Sequence, residues 1–186
     1  AICLDFAKPG ENNENRSNVV DDPVSWWRKW RELLGNISVE KRPYAVIAEM
    51  WLFKKELENQ HPNVEWVGSK GKSHDIEGEL YHIEVKSSVS QFNNEITISN
   101  QFQLDGEKPL YIAFVKLEES EEGMSINGLV KELVHLGVRI EEIEESLYRL
   151  RLPLGNTARQ KKFKIIEARK YLVDEEFPII NANSFK

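Results

Sequence analysis

Apolar positions along the chain alternate between a helical period and a strand period, and the switching predicts helices interleaved with strands. From about Val39 to Glu58, Tyr44, Ile47, Trp51 and Leu52 recur at helical spacing, so a helix is expected there with Glu49 in its middle. Strands are expected near Val64 to Val67, in two arms around Gly78, at Glu95 to Ile98, and at Leu110 to Val115, whose unbroken apolar run after Pro109 marks a central buried strand. Ser125 can cap a helix to about His135, and Ile140, Ile143, Leu147 and Leu150 line one face of another. Phe163 to Val173 reads as a long strand. Near the start, Ile2 to Phe6 is strand-like and Lys8 to Asn18 has the composition of a loop. Asp22 and Pro23 then open a short helix that carries Trp26, Trp27 and Trp30 and stops at Gly35. Ser99 or Asn100 can cap a short helix through Gln101 and Gln103.

The two arms around Gly78 concentrate the chemistry. Gly78 suits the first central position of a two-residue type II′ turn, which pairs Glu77 with Leu80 and Asp75 with His82. Side chains alternate across a strand, so Asp75, His82, Glu84 and Lys86 share one face, while Ile76, Tyr81, Ile83 and Val85 turn to a core. Two carboxylates and an ammonium on one face are what a metal-dependent phosphodiester-cleaving site requires. Glu49 adds a third acid from within an apolar helix, where it is costly unless something pairs with it, and a divalent cation shared with Asp75 and Glu84 supplies that compensation.

Composition narrows the class. With 186 residues, 40% hydrophobic and 30% charged, the chain suits one main soluble domain, and no apolar run approaches the roughly 20 residues needed to span a bilayer. Cys3 is the single cysteine, which excludes an intrachain disulfide and fits a reducing, cytoplasmic compartment. The chain opens on Ala1 rather than methionine, so the protein is expected to extend upstream. A net charge of -6 disfavours general affinity for nucleic acid, yet it is unevenly spread. Residues 118–145 carry nine acids against Lys131 and Arg139, a balance of -7, whereas residues 149–170 carry eight bases against Glu167, a balance of +7.

Other chemistries are disfavoured. Gly71-Lys72-Ser73 ends like a phosphate-binding loop, but Trp66 stands where that loop needs a glycine and a strand rather than a helix follows. The histidines His61, His74, His82 and His135 lack the spacing of a zinc site. Three read as structural or surface residues, and His82 as a neighbour of Asp75. No nucleophile elbow is present, and Cys3 has no neighbouring acid or base.

The order of parts resembles the PD-(D/E)XK, or restriction-endonuclease-like, superfamily: a helix with Glu49, a strand, a hairpin bearing Asp75 and Glu84-Val85-Lys86, a short helix with Gln101 and Gln103, then an apolar strand. His74 replaces the proline of the motif's name. Ala48-Glu49-Met50-Trp51-Leu52, Ile83-Glu84-Val85-Lys86-Ser87-Ser88, Ile96-Thr97-Ile98-Ser99 with Gln103-Leu104, Tyr171 and Phe177-Pro178 look like a bacterial branch encoded near restriction and phage-defence genes. The resemblance covers about residues 38–180. It implies an α/β fold with an αβββαβ core, a mixed central sheet flanked by helices, and C-terminal helices and a strand beyond it. Residues 1–37 would be the tail of a further N-terminal region and 38–186 the nuclease-like domain.

The same resemblance implies a Mg²⁺-dependent endonuclease acting on DNA, with Mn²⁺ as a substitute. Glu49, Asp75, Glu84 and the Val85 carbonyl would hold the metal, Lys86 would be catalytic, and Gln103 would position Lys86 or the nucleic-acid backbone. Arg159, Lys161, Lys162, Lys164, Arg169 and Lys170 are candidates for phosphate contacts. A homodimer, or a place in a multi-protein defence complex, is expected as the working form. Two alternatives stand beside this one: a non-catalytic adaptor built on a nuclease fold, favoured by the net acidity and the tryptophan helix, and a nuclease that cuts RNA.

Overall fold

The computed structural model describes residues 21–22, 42–61, 63–90, 108–174 and 177. The chain divides into two units, residues 1–39 and 40–186, and every element named here belongs to the second. The elements expected at residues 2–35, 95–98 and 101–104 lie outside the described residues, Gln103 among them.

Helix α1 runs Pro43–Glu58, with Pro43 in its first turn, where a fixed φ and a missing N–H do no harm. Val46, Ile47, Met50 and Phe53 line its buried face, and Glu49 and Glu56 are buried among them. Strands β1 (Glu65–Trp66), β2 (Ile76–Glu77) and β3 (His82–Ser88) follow, then β4 (Leu110–Ser125), α2 (Ile126–His135), α3 (Ile140–Arg149), a 3₁₀ turn (Thr157–Gln160) and β5 (Lys162–Val173). The strands form one five-stranded sheet in sequence order. Only β3 and β4 run parallel; the other pairs are antiparallel, so the sheet is mixed. This is an α/β, restriction-endonuclease-like core followed by two helices and a strand. The connection that makes β3 and β4 parallel includes the undescribed residues 91–107. Among the described residues, no helix is long and apolar enough to cross a membrane.

Ile76, Ile83, Val85, Ala113, Val115 and Leu117 give one sheet face to the core, where α1, α2 and α3 add Ile47, Met50, Leu129, Leu133, Ile143 and Leu147. The expected cap of α2 is present: the Ser125 hydroxyl accepts the Gly128 N–H at 3.1 Å.

Two expectations are corrected. The hairpin register is Glu77 opposite His82 and Ile76 opposite Ile83, not Glu77 opposite Leu80, so the turn spans Gly78 to Tyr81. Gly78 does not adopt a positive φ; a Cβ there would crowd the Tyr81 carbonyl oxygen at 3.1 Å, to which the Gly78 N–H donates at 2.9 Å. The slip is two residues, so every side chain keeps its expected face.

Strand β4 also continues past Val115 to Ser125, through an acidic stretch with no apolar alternation. Cross-strand pairing with β5 sustains it, Glu118 lying opposite Lys164. Glu119 and Met124 both pair with Phe163, so residues 120–123 bulge outward. A Cβ on Gly123 would sit 2.4 Å from the Phe163 carbonyl carbon, which leaves glycine as the residue that fits.

Ion pairs also join the acidic and basic runs. Arg159 pairs with Glu144 at 2.7 Å, Lys162 with Glu121 at 3.2 Å and Arg149 with Glu145 at 2.5 Å.

Candidate active site

The site lies where β2 parts from β3. Residue 75 directly precedes β2, and its backbone N–H donates to the Ile83 carbonyl at 3.2 Å while its carboxylate oxygen Oδ2 accepts the Val85 N–H at 2.9 Å. Asp75 is therefore tied to both chain neighbours of Glu84. Its own carbonyl accepts the N–H groups of Val67 and Gly68, at 2.8 and 3.0 Å, which fixes the segment from the other side. All three candidate carboxylates are buried: Glu49 is 2%, Asp75 8% and Glu84 4% exposed. The Lys86 ammonium is 2.8 Å from Glu84 Oε1, and its side chain is 16% exposed.

Glu49 reaches its place from α1, which packs against β3. Its Oε2 accepts the indole N–H of Trp66 at 3.0 Å, within the buried interior. Trp66 is the functional neighbour that pattern analysis overlooks, because a tryptophan in a strand reads as core. A polar handle paired with the one acid in the middle of an apolar helix was the available signal.

The donor set is all oxygen, which suits a hard cation such as Mg²⁺ or Mn²⁺. Burying carboxylates is costly without compensating positive charge, and a divalent cation fits that need. Val85 is 8% exposed between Glu84 and Lys86, so its carbonyl belongs to the same short segment.

The basic candidates separate sharply. Arg159 is 2% exposed; its guanidinium donates to both Glu144 oxygens, at 2.8 and 2.7 Å, and to Asn127 Oδ1 at 2.8 Å, so it is a structural residue closed to a phosphate. Lys170 donates to the buried Glu56 at 2.7 Å and lies over the rings of Tyr81 and Tyr111. Lys162 is engaged by Glu121. Lys161 and Lys164 are exposed, but Lys164 sits opposite Glu118, six residues along β4 from Ile112, the partner of Glu84. At strand rise that is about 20 Å from the carboxylates.

Arg169 differs. Lys86 pairs with Phe114, and Phe114 with Arg169, so the two cations share one row and one sheet face. Two strand spacings separate them, about 10 Å. Arg169 contacts Glu167 and Tyr171 and keeps a 63% exposed side chain.

The structure also brings His74, Glu77 and His82 together, with ligand atoms all within 4.8 Å of one another. Sequence spacing gives no sign of this grouping, because it is the fold that brings His74 beside His82. The imidazoles stack with centroids 4.9 Å apart and planes 7° from parallel. Burial, and then the proximity of His74, hold the His82 pKa below the ordinary histidine value.

A restriction-endonuclease-like sheet that carries Asp75, Glu84 and Lys86 at its fork defines the class: a PD-(D/E)XK domain. The family model described as "Putative PD-(D/E)XK family member, (DUF4420)" matches residues 1–186, and the chain belongs to that family. No curated protein and no solved structure matches it.

Proposed function

We propose that this chain is a Mg²⁺-dependent endonuclease that hydrolyses DNA phosphodiester bonds in bacterial restriction or phage defence. The observation that carries it is the Asp75, Glu84 and Lys86 set: two buried carboxylates and an ammonium, with Asp75 Oδ2 accepting the Val85 N–H and the Lys86 ammonium donating to Glu84. Glu49, Asp75, Glu84 and the Val85 carbonyl would hold the metal. A bound Mg²⁺, or Mn²⁺ in its place, supplies Lewis acidity at the phosphate and lowers the pKa of the attacking water. Lys86 orients that water and stabilises the extra negative charge of the pentavalent transition state. Arg169, on the same row, holds the backbone of the substrate near the site. Gln103 is assigned to help position Lys86 or the backbone.

One such site attacks one phosphodiester, so double-strand breaks call for a second copy of the chain or a larger defence complex. The net charge of -6 supports the same view, since it gives an isolated chain feeble attraction to a duplex. The test is cleavage of plasmid DNA, and of RNA in parallel, by the protein with Mg²⁺, Mn²⁺ or EDTA. Cutting of DNA that needs the metal and disappears in Lys86→Ala, with a native circular dichroism spectrum, is expected. A Lys86→Ala protein that cuts at the wild-type rate overturns the assignment.

A further inference from the structure

We propose that His74, Glu77 and His82 form a second cation site, built for a first-row transition metal such as Zn²⁺ and distinct in ligand chemistry from the carboxylate wall beside it. Two imidazoles and a carboxylate are a set that Zn²⁺ takes with a position left open, whereas Mg²⁺ keeps to oxygen. Nitrogen ligands also favour the later first-row ions over Mg²⁺ and Mn²⁺.

The backbone fixes two of the three ligands. Glu77 and His82 are direct partners in the β2–β3 ladder, so their side chains stand on one face at a set spacing. His74, 7% exposed, comes from the bend before β2 and lays its ring parallel to that of His82. Ligand atoms bound at about 2.0–2.1 Å in a tetrahedral site lie roughly 3.3 Å apart. Closing from the observed limit of 4.8 Å requires the stacked imidazoles to turn out of their parallel arrangement. Nδ1 of His82 is buried and has no hydrogen-bond partner among the described residues, a costly state for an imidazole nitrogen that coordination or a proton relay through it would relieve.

Two cations oppose binding. The Lys72 ammonium pairs with the Glu77 carboxylate, and Lys108 donates to the Gly78 carbonyl at 3.0 Å in the adjoining turn. A metal must displace Lys72 from Glu77, so Lys72 sets the affinity. Once bound, the metal would pin the bend at His74 to β3 and stiffen Asp75, the next residue.

The inference stands apart from the nuclease assignment, and variants separate the two. The full chain, stripped with a chelator, is titrated with Co²⁺ as a spectroscopic stand-in for Zn²⁺, and its melting temperature is followed with Zn²⁺. Stoichiometric Co²⁺ should give the visible bands of a nitrogen-ligated site, and Zn²⁺ should raise the melting temperature. Both signals should persist in Asp75→Asn and Glu84→Gln and vanish in His82→Gln and His74→Gln. Lys72→Met, which frees Glu77, should tighten binding several-fold. Signals that survive in His82→Gln, that vanish in Asp75→Asn, or that do not strengthen in Lys72→Met overturn the proposal, as does a folded wild type that takes up neither metal.

Discussion

Oδ2 of Asp75 accepts the backbone N–H of Val85 at 2.9 Å, so a carboxylate takes the hydrogen bond that a neighbouring strand would otherwise make. In the proposed site the acid has two duties, ligand and ladder substitute, and two substitutions separate them. Asp75→Asn keeps an acceptor for Val85 and loses the charge; its stability should stay near wild type while cleavage is abolished. Asp75→Ala also abolishes cleavage but leaves a buried N–H without its partner, at a cost of about 1–3 kcal/mol. Urea unfolding of both variants checks this. Equal stabilities would show that the hydrogen bond contributes nothing.

That double duty explains what pattern analysis can and cannot read here. Alternation placed Asp75, Glu84 and Lys86 on one face because a period of two survives a register slip of two. The turn itself was misread, since Gly78 serves a close approach to Tyr81 rather than a positive φ. Helices α2 and α3 were legible from the Ser125 cap and the apolar spacing of Ile143 and Leu147. The far half of β4 was not, because what sustains it is pairing with β5, and a chain read alone shows no partner. For the same reason Arg159 looked like a free cation, when its acid, Glu144, lies on another element.

In the proposed metal site, Trp66 positions Glu49. Trp66→Phe keeps the packing ring and removes the indole N–H that Glu49 accepts at 3.0 Å. The expected loss of stability is about 1–3 kcal/mol. The telling readout is cleavage rate against Mg²⁺ concentration, whose midpoint should move to higher metal because one ligand is no longer held. A curve superimposable on the wild type, at reduced stability, would make Trp66 a packing residue only.

Arg159 and Arg169 should behave oppositely. Arg159→Ala leaves Glu144 without its fork of donors and should cost on the order of 3 kcal/mol, the low end for a broken buried pair because Glu144 is 20% exposed. Its DNA binding, measured well below its melting temperature, should keep the wild-type salt dependence. Arg169→Ala should leave the melting temperature within error and lower the slope of log K against log salt by about 1. Calorimetry with salt-dependent gel shifts distinguishes them. An unchanged slope in Arg169→Ala removes it from the substrate path.

Tyr81 makes a pH prediction with a definite sign. Its hydroxyl donates to Glu56, whose other oxygen accepts from Lys170 at 2.7 Å, and the phenol pKa is raised, first by burial and then by the hydrogen bond to Glu56. The unfolded chain releases the phenol proton near the usual pKa of about 10, while the native state keeps it to higher pH. Between those two values the native state binds more protons than the unfolded state, so stability falls as pH rises. This contribution is whole below about pH 10 and drains away above it. Tyr81→Phe cannot show that loss. At neutral pH it should instead be less stable by roughly 1–3 kcal/mol, having lost a donor to a buried carboxylate. Urea unfolding from pH 7 to about 11 should thus show the two stabilities converging only above about pH 10. Parallel curves across the whole range would mean that the Tyr81 proton is not held by this network.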